Sequence, residues 1–538
     1  MLSRLGITLS AWFRRIVPHT MVLAILLTIV TAVMCLWLTP IKSSELLMVW
    51  GGKGSHPLMR LDGKEARPWV VQKVVTTKPN EHTLLLWSKT PPAKVAQVLR
   101  KHPKLTTVAL VKGKRAVRVV GLSRKQLLED LPLNRVSARI KGIWQFLTFA
   151  MQMCLILLAG FGVAVSGPVQ RMIRSAASWP KDAGSAAALV AFVAMISGWL
   201  NWGLGLIVGA YFAREVARQG ELRGVSMHYP LLGAAGYTAL LIWHCGLSGS
   251  APLKVAEAGH LSRELGLGMG PIPLSATIFS PMNLAISLSL LFAVPLLLRA
   301  MTPASPREML SYSAFNSMVE APMPVENEEG TWLERWWGMN LLLSLVMFAV
   351  LLFHFVKHGL NLSINLVILL FLAVGLLLYK GIRSYVSHVA QGARSCVSII
   401  LQFPLYAGIF AMLYESGMIE IIATWVSQIT SPSLYLIANF FTAGVVNVFI
   451  PSGGGQWGVQ GAIVLTTAQN LPISPGTAVM TVAYGDQWTN MLQPFWALAL
   501  LEITGLRARD ILGYTILLML ASGLFFVLAL GLFGTLGV

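Results

Sequence analysis

The chain has 538 residues, of which 55% are hydrophobic and only 12% are charged. Soluble domains carry about a quarter charged residues, so the composition excludes a soluble enzyme, a disordered chain and a secreted disulfide scaffold. Long apolar runs recur along most of the length and predict an all-α polytopic protein in a lipid bilayer. A net charge of +19 would suggest a nucleic-acid partner in a soluble protein. In a membrane protein its interpretation depends on where the basic residues lie along the chain.

The basic charge is concentrated in one hydrophilic block. Residues 51–141 hold 20 of the 41 Lys and Arg residues and 5 of the 22 Asp and Glu residues, so +15 of the +19 lies there. The block contains no run long enough to span a bilayer. We predict a small α/β extramembrane insert, with a strand near 83–88, a helix near 91–102, a hairpin near 105–120 and a second helix near 123–131. No nucleic-acid partner is predicted, and no partner is assigned to the insert.

The first 50 residues contain the first predicted span, at 20–39. Three arginines precede it within the first 15 residues, which places the N-terminus in the cytoplasm. The second span, near 143–165, is followed by further arginines and therefore ends in the cytoplasm. Residues 51–141 then lie outside, in the periplasm of a bacterium, because long loops translocate largely regardless of their charge.

Residues 142–299 form the first half of the predicted membrane core. The apolar stretch 185–213 has basic residues beyond both ends, so it cannot be a single span, and we predict a re-entrant hairpin with Asn201 near its tip. A span near 229–247 runs into the glycine-, serine- and proline-rich segment Ser248–Pro252, which predicts a broken helix. A further span near 275–298 leads to residues 300–335, a cytoplasmic linker loop.

Residues 336–538 repeat this plan after one linking span. The predicted elements are spans near 337–356, 364–379 and 396–413, an amphipathic stretch near 418–429, a hairpin within 434–470, an interrupted span near 475–501 and a last span near 511–533. The hairpin carries Asn447 near its break. The last span leaves the C-terminus in the periplasm.

The two halves correspond in sequence order but face opposite ways. Asn201 corresponds to Asn447, and Ser248–Pro252 corresponds to residues 486–494. The flanking charges open the first hairpin to the cytoplasm and the second to the outside. Inverted repeats with broken helices are typical of secondary transporters. Because no P-loop, HExxH or Ser-His-Asp pattern is present, we expect neither an ATP-driven pump nor an enzyme.

Asp486 is the ionisable residue of greatest interest, because charged side chains within membrane segments are usually functional. We predict that it serves the coupling ion, Na⁺ or H⁺; the alternative is a helix cap. His244 is expected to be packed or hydrogen-bonded rather than to carry a proton. The run Gly453, Gly454 and Gly455 suggests close approach of the backbone to a ligand.

Four segments resemble a known family. They are 447–461 (NVFIPSGGGQWGVQG), 483–498 (AYGDQWTNMLQPFWAL), 201–214 (NWGLGLIVGAYFAR) and 248–253 (SGSAPL). They resemble the bacterial short-chain fatty acid uptake transporters, a family grouped with the ion transporter superfamily. The resemblance covers residues 1–50 and 142–538. It implies cation-coupled uptake of small monocarboxylates such as acetoacetate or butyrate through the inner membrane, an elevator-type motion and, by superfamily analogy, a homodimer.

The resemblance and the breaks together define the candidate site. The polar residues that the resemblance implies for substrate or ion binding are Asn201, Ser248, Ser250, Asn447, Ser452, Gln456 and Asn490. Their neighbours in the same breaks, Gly249, Gly453, Gly454, Gly455 and Gln487, complete the predicted substrate site, with Asp486 for the coupling ion. No metal centre or prosthetic group is expected, since the four cysteines are scattered and show no ligand spacing.

Two other functions remain open at this stage. A symporter of di- or tricarboxylates or another organic anion predicts a cationic side chain at the site, and the breaks contain no Arg or Lys. A membrane ligand sensor or scaffold that works through the basic insert predicts binding without flux. Two features depart from the family pattern: residues 51–141 have no counterpart there, and His244-Cys245 stands where glycines are expected.

Overall fold

The structure is a computed structural model, and it describes residues 147–265, 267–315, 331–359, 362–416, 429 and 431–536, with a first helix and short stretches before residue 147. The chain divides into two compact units, one of Met1–Val33 with Ile143–Val538 and the other of Met34–Gly142. The predicted amphipathic stretch near 418–429 lies outside the described residues except for residue 429. Residues 316–330 of the linker also lie outside them.

The described chain is helical outside the smaller unit. In chain order the helices are α1 Thr20–Leu38, α2 Leu147–Ala164, α3 Gly167–Ala177, α4 Ala183–Leu200, α5 Trp202–Leu222, α6 Tyr229–Tyr237, α7 Ser250–Ala256, α8 Pro281–Ala300, α9 Trp332–Arg335, α10 Trp337–His358, α11 Ile364–Leu377, α12 Ile382–Ser416, α13 Pro432–Phe449, α14 Gly453–Ala468, α15 Pro475–Thr489, α16 Pro494–Thr504 and α17 Ala508–Thr535.

Seven segments of the described residues are long and apolar enough to cross a membrane. They are Leu147–Ala164, Ala183–Leu200, Tyr229–Ala256, Pro281–Ala300, Trp337–Lys357, Pro432–Phe449 and Ala508–Thr535. Hydrocarbon offers no partner for a free backbone amide, so helices satisfy their own hydrogen bonds across it. The predicted class, an all-α polytopic membrane protein, is confirmed.

The smaller unit contains an antiparallel sheet. Its strands are β1 Ser44–Gly51, β2 Trp69–Lys78, β3 Glu81–Ser88, β4 Thr107–Leu110 and β5 Leu122–Ser123, in the spatial order β2-β3-β1-β4-β5. The strand predicted near 83–88 falls in β3, and the first strand of the predicted hairpin falls in β4. The helix predicted at 91–102, the second hairpin strand at 116–120 and nearly all of the helix predicted at 123–131 lie outside the described residues.

The first predicted hairpin is formed by α4 and α5. Asn201 alone separates them, in extended backbone conformation (φ −157°, ψ 125°), and its Oδ1 accepts the Leu204 N–H at 2.9 Å. The two helices touch through glycines, since a Cβ on Gly205 would lie 2.4 Å from the Gly198 Cα. Asn201 is therefore the tip of the hairpin and the N-cap of its second helix.

The second hairpin is formed by α13 and α14, which Ile450, Pro451 and Ser452 connect. The Ser452 Oγ accepts the Gly455 N–H at 3.1 Å and caps α14. Asn447 instead lies within the last turn of α13, which ends at Phe449. The correspondence of Asn201 with Asn447 is thus wrong at the tip, where Ser452 matches Asn201. Pro451 explains the shift, because a proline disfavours helical conformation in the residue before it.

The first broken helix begins to unwind earlier than predicted. After α6 the chain forms short 3₁₀ turns at Thr238–Leu241 and Trp243–Cys245, and α7 begins at Ser250. The unwound backbone rests on the first hairpin: the Leu247 N–H donates to the Trp199 carbonyl at 2.8 Å. A Cβ on Gly246 would lie 2.0 Å from the same oxygen, so this approach requires glycine.

The second broken helix is interrupted in the later part of the predicted range 486–494. Residues Asp486 and Gln487 lie in the last turns of α15, and the break consists of a 3₁₀ turn at Asn490–Leu492 and of Gln493. Pro494 starts α16, and it disfavours helical geometry at Gln493. The prediction that Asp486 lies within the break is corrected by about one turn.

Two spans of the second half also differ from the predicted ranges. The span predicted at 364–379 is α11, a helix of 14 residues, and the span predicted at 396–413 is the later part of α12, which has 35 residues. The end of α11 is satisfied from α10, because Asn340 Nδ2 donates to the carbonyls of Leu376 and Tyr379 at 3.0 and 3.2 Å. The first part of α12 is polar, so the apolar run that predicted the span began only at residue 396 and missed the start of the helix.

The glycine contact within the first hairpin gives a stability prediction. Gly205→Val forces side-chain atoms against the Gly198 backbone and is expected to destabilise the protein by about 1–3 kcal/mol. The matched control is Gly458→Val in α14, where an added Cβ meets no atom within 4 Å. Thermal unfolding in detergent should show a lower midpoint for the first variant only. Equal midpoints would contradict the close packing of α4 on α5.

Candidate functional site

The two broken helices are joined by a buried pair of ionisable side chains. His244 Nδ1 and Asp486 Oδ2 lie 2.7 Å apart, and both side chains are almost completely buried. His244 belongs to the first break and Asp486 to α15, 242 positions later. This contact crosses from one half of the chain to the other and lies at the centre of the candidate site.

The surrounding backbone fixes which nitrogen of His244 carries hydrogen. The Ala251 N–H, at the start of α7, donates to His244 Nε2 at 3.0 Å. An amide can only donate, so Nε2 is the acceptor and Nδ1–H donates to the Asp486 carboxylate. His244 is therefore neutral in this geometry, and it connects the first turn of α7 to Asp486.

Gln487 holds the unwound backbone next to this pair. Its Oε1 accepts the N–H groups of His244 and Cys245, each at 3.2 Å, and its Nε2 lies 3.0 Å from the Cys245 Sγ. A 3₁₀ turn followed by extended backbone leaves N–H groups without helical partners. The Gln487 oxygen accepts the His244 N–H from the other broken helix. It shares the Cys245 N–H with the Ile242 carbonyl, which lies 3.1 Å from that nitrogen.

Asn447 links the second hairpin to the second broken helix. Its Nδ2 donates to the Asp486 carbonyl at 2.7 Å, the Thr489 Oγ1 at 2.9 Å and the Asn490 Oδ1 at 3.0 Å. In return, Gln493 Nε2 donates to the Asn447 carbonyl at 2.7 Å. These five predicted or adjacent polar residues thus form one network around the end of α15.

The N-terminus of α14 packs against the His244 ring. A Cβ on Gly453 would lie 2.7 Å from His244 Cε1 and 3.0 Å from Trp243 Cη2, and a Cβ on Gly454 would lie 2.5 Å from Phe149 Cε2. The Trp243 and His244 rings are stacked, with centroids 4.4 Å apart. These glycines therefore lie against a wall of His244 and aromatic side chains, and their predicted approach to a ligand stays a prediction.

The same helix start offers donors for an anion. The first N–H groups of a helix have no partner within it, and the Ser452 cap uses only the third, that of Gly455. The N–H groups of Gly453 and Gly454 remain, at the positive end of the helix dipole. Gln456 follows them, and its Nε2 donates to the Ala443 carbonyl at 2.7 Å.

Asn201 and Ser248 form a separate contact at the first hairpin. The Ser248 Oγ accepts the Trp202 N–H at 3.0 Å, and the Asn201 Oδ1 caps the same helix. Gly249 lies between this contact and the pair of His244 and Asp486. It packs directly on the first break, because a Cβ added at Gly249 would lie 2.4 Å from the His244 carbonyl oxygen. The predicted residues thus fall into two groups, one around α14 and Asp486 and one at the tip of the first hairpin.

Several buried polar atoms of these groups have no hydrogen-bond partner among the described residues. They are the Oδ1 atoms of Asp486 and Asn447, the Oγ of Ser250, the Oε1 atoms of Gln456 and Gln493, the Nδ2 of Asn201 and the Nε1 atoms of Trp202 and Trp243. Buried polar groups are ordinarily paired, and exceptions call for an explanation. A ligand with polar ends would satisfy some of them.

His244 is hydrogen-bonded, which agrees with one of the two expectations for it, but its pairing with Asp486 was not predicted. Neither Trp243 nor Phe149 was predicted, and Phe149 lies in α2, far from any break in the sequence. For His244 a signal existed, since it and Asp486 are ionisable residues in the two interrupted spans. No local pattern marks Phe149, because its role depends on how α2 packs on α14.

Comparisons with known proteins identify the family of the chain. Residues 116–533 match the family model described as short chain fatty acid transporter. The chain belongs to the short chain fatty acid transporter family. A provisionally named short-chain fatty acid transporter of Escherichia coli (strain K12) is 39% identical over 411 residues, which are 76% of this chain and 92% of that protein.

A second member of the family comes from Haemophilus influenzae (strain ATCC 51907 / DSM 11121 / KW20 / Rd). It is also provisionally named a short-chain fatty acid transporter, and it is 34% identical over 417 residues, which are 75% of this chain and 91% of that protein. Among solved structures, the YdaH transporter of Alcanivorax borkumensis, reported to have an unusual topology, aligns with a TM-score of 0.48 and 15% identity, covering 82% of this chain and 95% of that one.

The family match spans both hairpins and both broken helices. It begins at residue 116, inside the insert, so the expectation that 51–141 has no counterpart in the family is wrong for residues 116–141. The predicted resemblance to this family is confirmed. All the polar residues that form the network around Asp486 fall within the matched range.

The Gln487 contacts give a second stability prediction. Gln487→Leu removes the acceptor of the buried His244 N–H, and an unsatisfied group of this kind costs about 1–3 kcal/mol. The Cys245 N–H keeps the Ile242 carbonyl at 3.1 Å. We expect a clearly lower thermal midpoint in detergent. Gln469→Leu, at the exposed C-terminal end of α14, is the matched control. It should change the free energy of unfolding by less than about 0.5 kcal/mol and leave the midpoint nearly unchanged. An unchanged midpoint for the Gln487 variant would show that its amide does not support the break.

Proposed function

We propose that the chain is a secondary active transporter that moves short-chain monocarboxylates, such as butyrate or acetoacetate, together with a cation. The observation that supports this most directly is the start of α14. There Gly453 and Gly454, whose N–H groups precede the first helical acceptors, lie against aromatic rings: a Cβ on Gly453 would be 3.0 Å from the Trp243 ring, and a Cβ on Gly454 would be 2.5 Å from the Phe149 ring. Donors beside an apolar wall fit a molecule with a carboxylate at one end and a short hydrocarbon tail at the other.

The charge of the site favours a monoanion over a di- or tricarboxylate. Lys254 is the basic residue next to the first break, and its Nζ donates to the Glu257 carboxylate at 3.1 Å. Its charge is therefore already paired within α7 and its C-cap. A second carboxylate on the substrate would have to be desolvated without a cationic partner among the described residues of the breaks, which is costly.

The transport cycle that we propose is alternating access of the elevator type. The hairpins and broken helices are tied to one another by side-chain contacts such as that of Gln487, which would let them move as one body. A different group of helices is tied together by the Asn340 contacts between α10 and α11 and by the Tyr379 hydroxyl, which donates to the Gly162 carbonyl of α2 at 2.7 Å. A homodimer built on this second group is part of the same proposal.

Counterflow in proteoliposomes tests the substrate class. Vesicles loaded with unlabelled butyrate should accumulate labelled butyrate or acetoacetate above the level of protein-free vesicles, because both acids compete for one site. Asn447→Ala should abolish this exchange. Asn439→Ala is the matched control, since Asn439 Nδ2 also links α13 to α15, through the Ala478 carbonyl at 3.2 Å, two turns earlier in the same helix.

The control should retain exchange with an unchanged KM. If both variants lose transport equally, the network around Asn447 is structural and not part of the site. Binding of a labelled acid without any exchange would favour the sensor hypothesis instead.

We propose a bacterial inner-membrane location with the N-terminus in the cytoplasm and the insert and C-terminus in the periplasm, as the basic residues beside the spans indicate. A membrane-impermeant thiol reagent tests this. Lys104→Cys should be labelled in intact spheroplasts. Glu308→Cys, in the linker, should be labelled only after the membrane is opened. The reverse pattern would invert the proposed topology.

A further inference from the structure

One oxygen of the central pair has no assigned role. Asp486 Oδ2 accepts from His244 Nδ1–H, whereas Asp486 Oδ1 is buried and has no partner among the described residues. Because His244 is neutral in this geometry, an ionised Asp486 would place an uncompensated negative charge in the membrane-embedded core. Such charges are expensive and are found where ions or protons pass.

We propose that Asp486 Oδ1 is the proton-binding atom of the transport cycle, so that the coupling ion is H⁺ and one proton moves with each monocarboxylate. The inference rests on the proposed function and specifies its coupling ion. In the step, hydronium from the aqueous side gives its proton to Oδ1, an O–H bond forms, water leaves, and the carboxylate becomes a neutral carboxylic acid. The hydrogen bond from His244 to Oδ2 is retained throughout.

The geometry distinguishes Oδ1 from the other basic atom of the pair. His244 Nε2 accepts the Ala251 N–H at 3.0 Å, so a proton there would face the amide hydrogen and break the contact with α7. Oδ1 can take a proton without loss of any hydrogen bond. His244 is therefore a positioning residue, which fixes the carboxyl orientation and leaves the free oxygen open.

The other titratable side chains on the adjoining elements are already engaged. The Cys245 Sγ lies 3.0 Å from Gln487 Nε2, and the Tyr484 hydroxyl donates to Asn283 Oδ1 at 3.1 Å. On the side of the second hairpin, His260 Nε2 accepts the Trp457 Nε1–H at 3.0 Å. The start of α14 contributes Ser452 and glycines, which carry no charge.

The substrate supplies the reason for proton uptake. A carboxylate held by the Gly453 and Gly454 N–H groups would lie close to Asp486, because a Cβ on Gly453 would be 3.3 Å from His244 Nδ1, the atom that binds Asp486. Two like charges this close in a water-poor core repel each other strongly. A proton on Oδ1 removes the repulsion, so each ligand favours the binding of the other, as symport requires.

Calorimetry of substrate binding tests this without interference from acid leakage across a membrane. The purified full-length protein in detergent is titrated with sodium butyrate near pH 7.5. The acid itself is ionised at this pH, since carboxylic acids lose their proton at about pH 4. Repeating the titration in buffers of different ionisation enthalpy gives the number of protons taken up. We expect up to about one proton per butyrate bound.

Asp486→Asn is the decisive variant. Its amide keeps an oxygen for His244 Nδ1–H and presents an N–H₂ donor where the protonated acid would have O–H, so it mimics the protonated state. Butyrate should bind with proton uptake reduced to about zero. Glu257→Gln, which removes a carboxylate paired with Lys254 at the end of α7, is the control and should keep the wild-type uptake.

Each outcome is informative. Butyrate binding that requires Na⁺ and takes up no proton in the wild-type protein overturns the inference even if the variant fails to fold. Proton uptake that persists in Asp486→Asn assigns the proton to another group and also overturns it. Absence of butyrate and acetoacetate binding under all conditions overturns the proposed function itself, which is a distinguishable result.

Discussion

The hydrogen bond between His244 and Asp486 is the interaction on which the site depends. It joins a break in the first half of the chain to a helix end in the second half, at a depth where water cannot substitute for a lost partner. Interrupted helices expose backbone groups, and a membrane tolerates them only when protein groups satisfy them. The side chains of Gln487 and Asn447 do this around the same contact, so the polar network is both the support of the breaks and the chemistry of the site.

This double use explains why the site residues are mostly neutral amides and small residues. An amide both donates and accepts, so Gln487 can bind two N–H groups while Asn447 binds three oxygens. Glycines at the start of α14 bring backbone donors against the His244 ring, where any side chain would collide. We propose that this helix start binds an anion without an arginine or lysine, which would suit a substrate with a single carboxylate.

Much of the architecture could be predicted because the signals are local. A polar residue between apolar runs predicted the Asn201 tip, and prolines after apolar helices predicted both breaks. The errors were also local: Pro451 and Pro494 shift the interruptions downstream, which leaves Asn447 and Asp486 inside helices. The pairing of His244 with Asp486 could not be predicted from the sequence, because it depends on contacts between residues 242 positions apart. The packing of Phe149 on Gly454 could not be predicted for the same reason, since these residues are also far apart in the sequence.

The central claim is that the carboxylate of the substrate lies at the start of α14, with its tail between Phe149 and Trp243. A crystal structure of the protein with 4-bromobutyrate tests it most directly, because the anomalous signal of bromine locates the tail without ambiguity. The account predicts a bromine peak against these two rings and carboxylate density at the N–H groups of Gly453 and Gly454. A bromine peak beside Asn201 and Ser248, with the α14 start unoccupied, would contradict it.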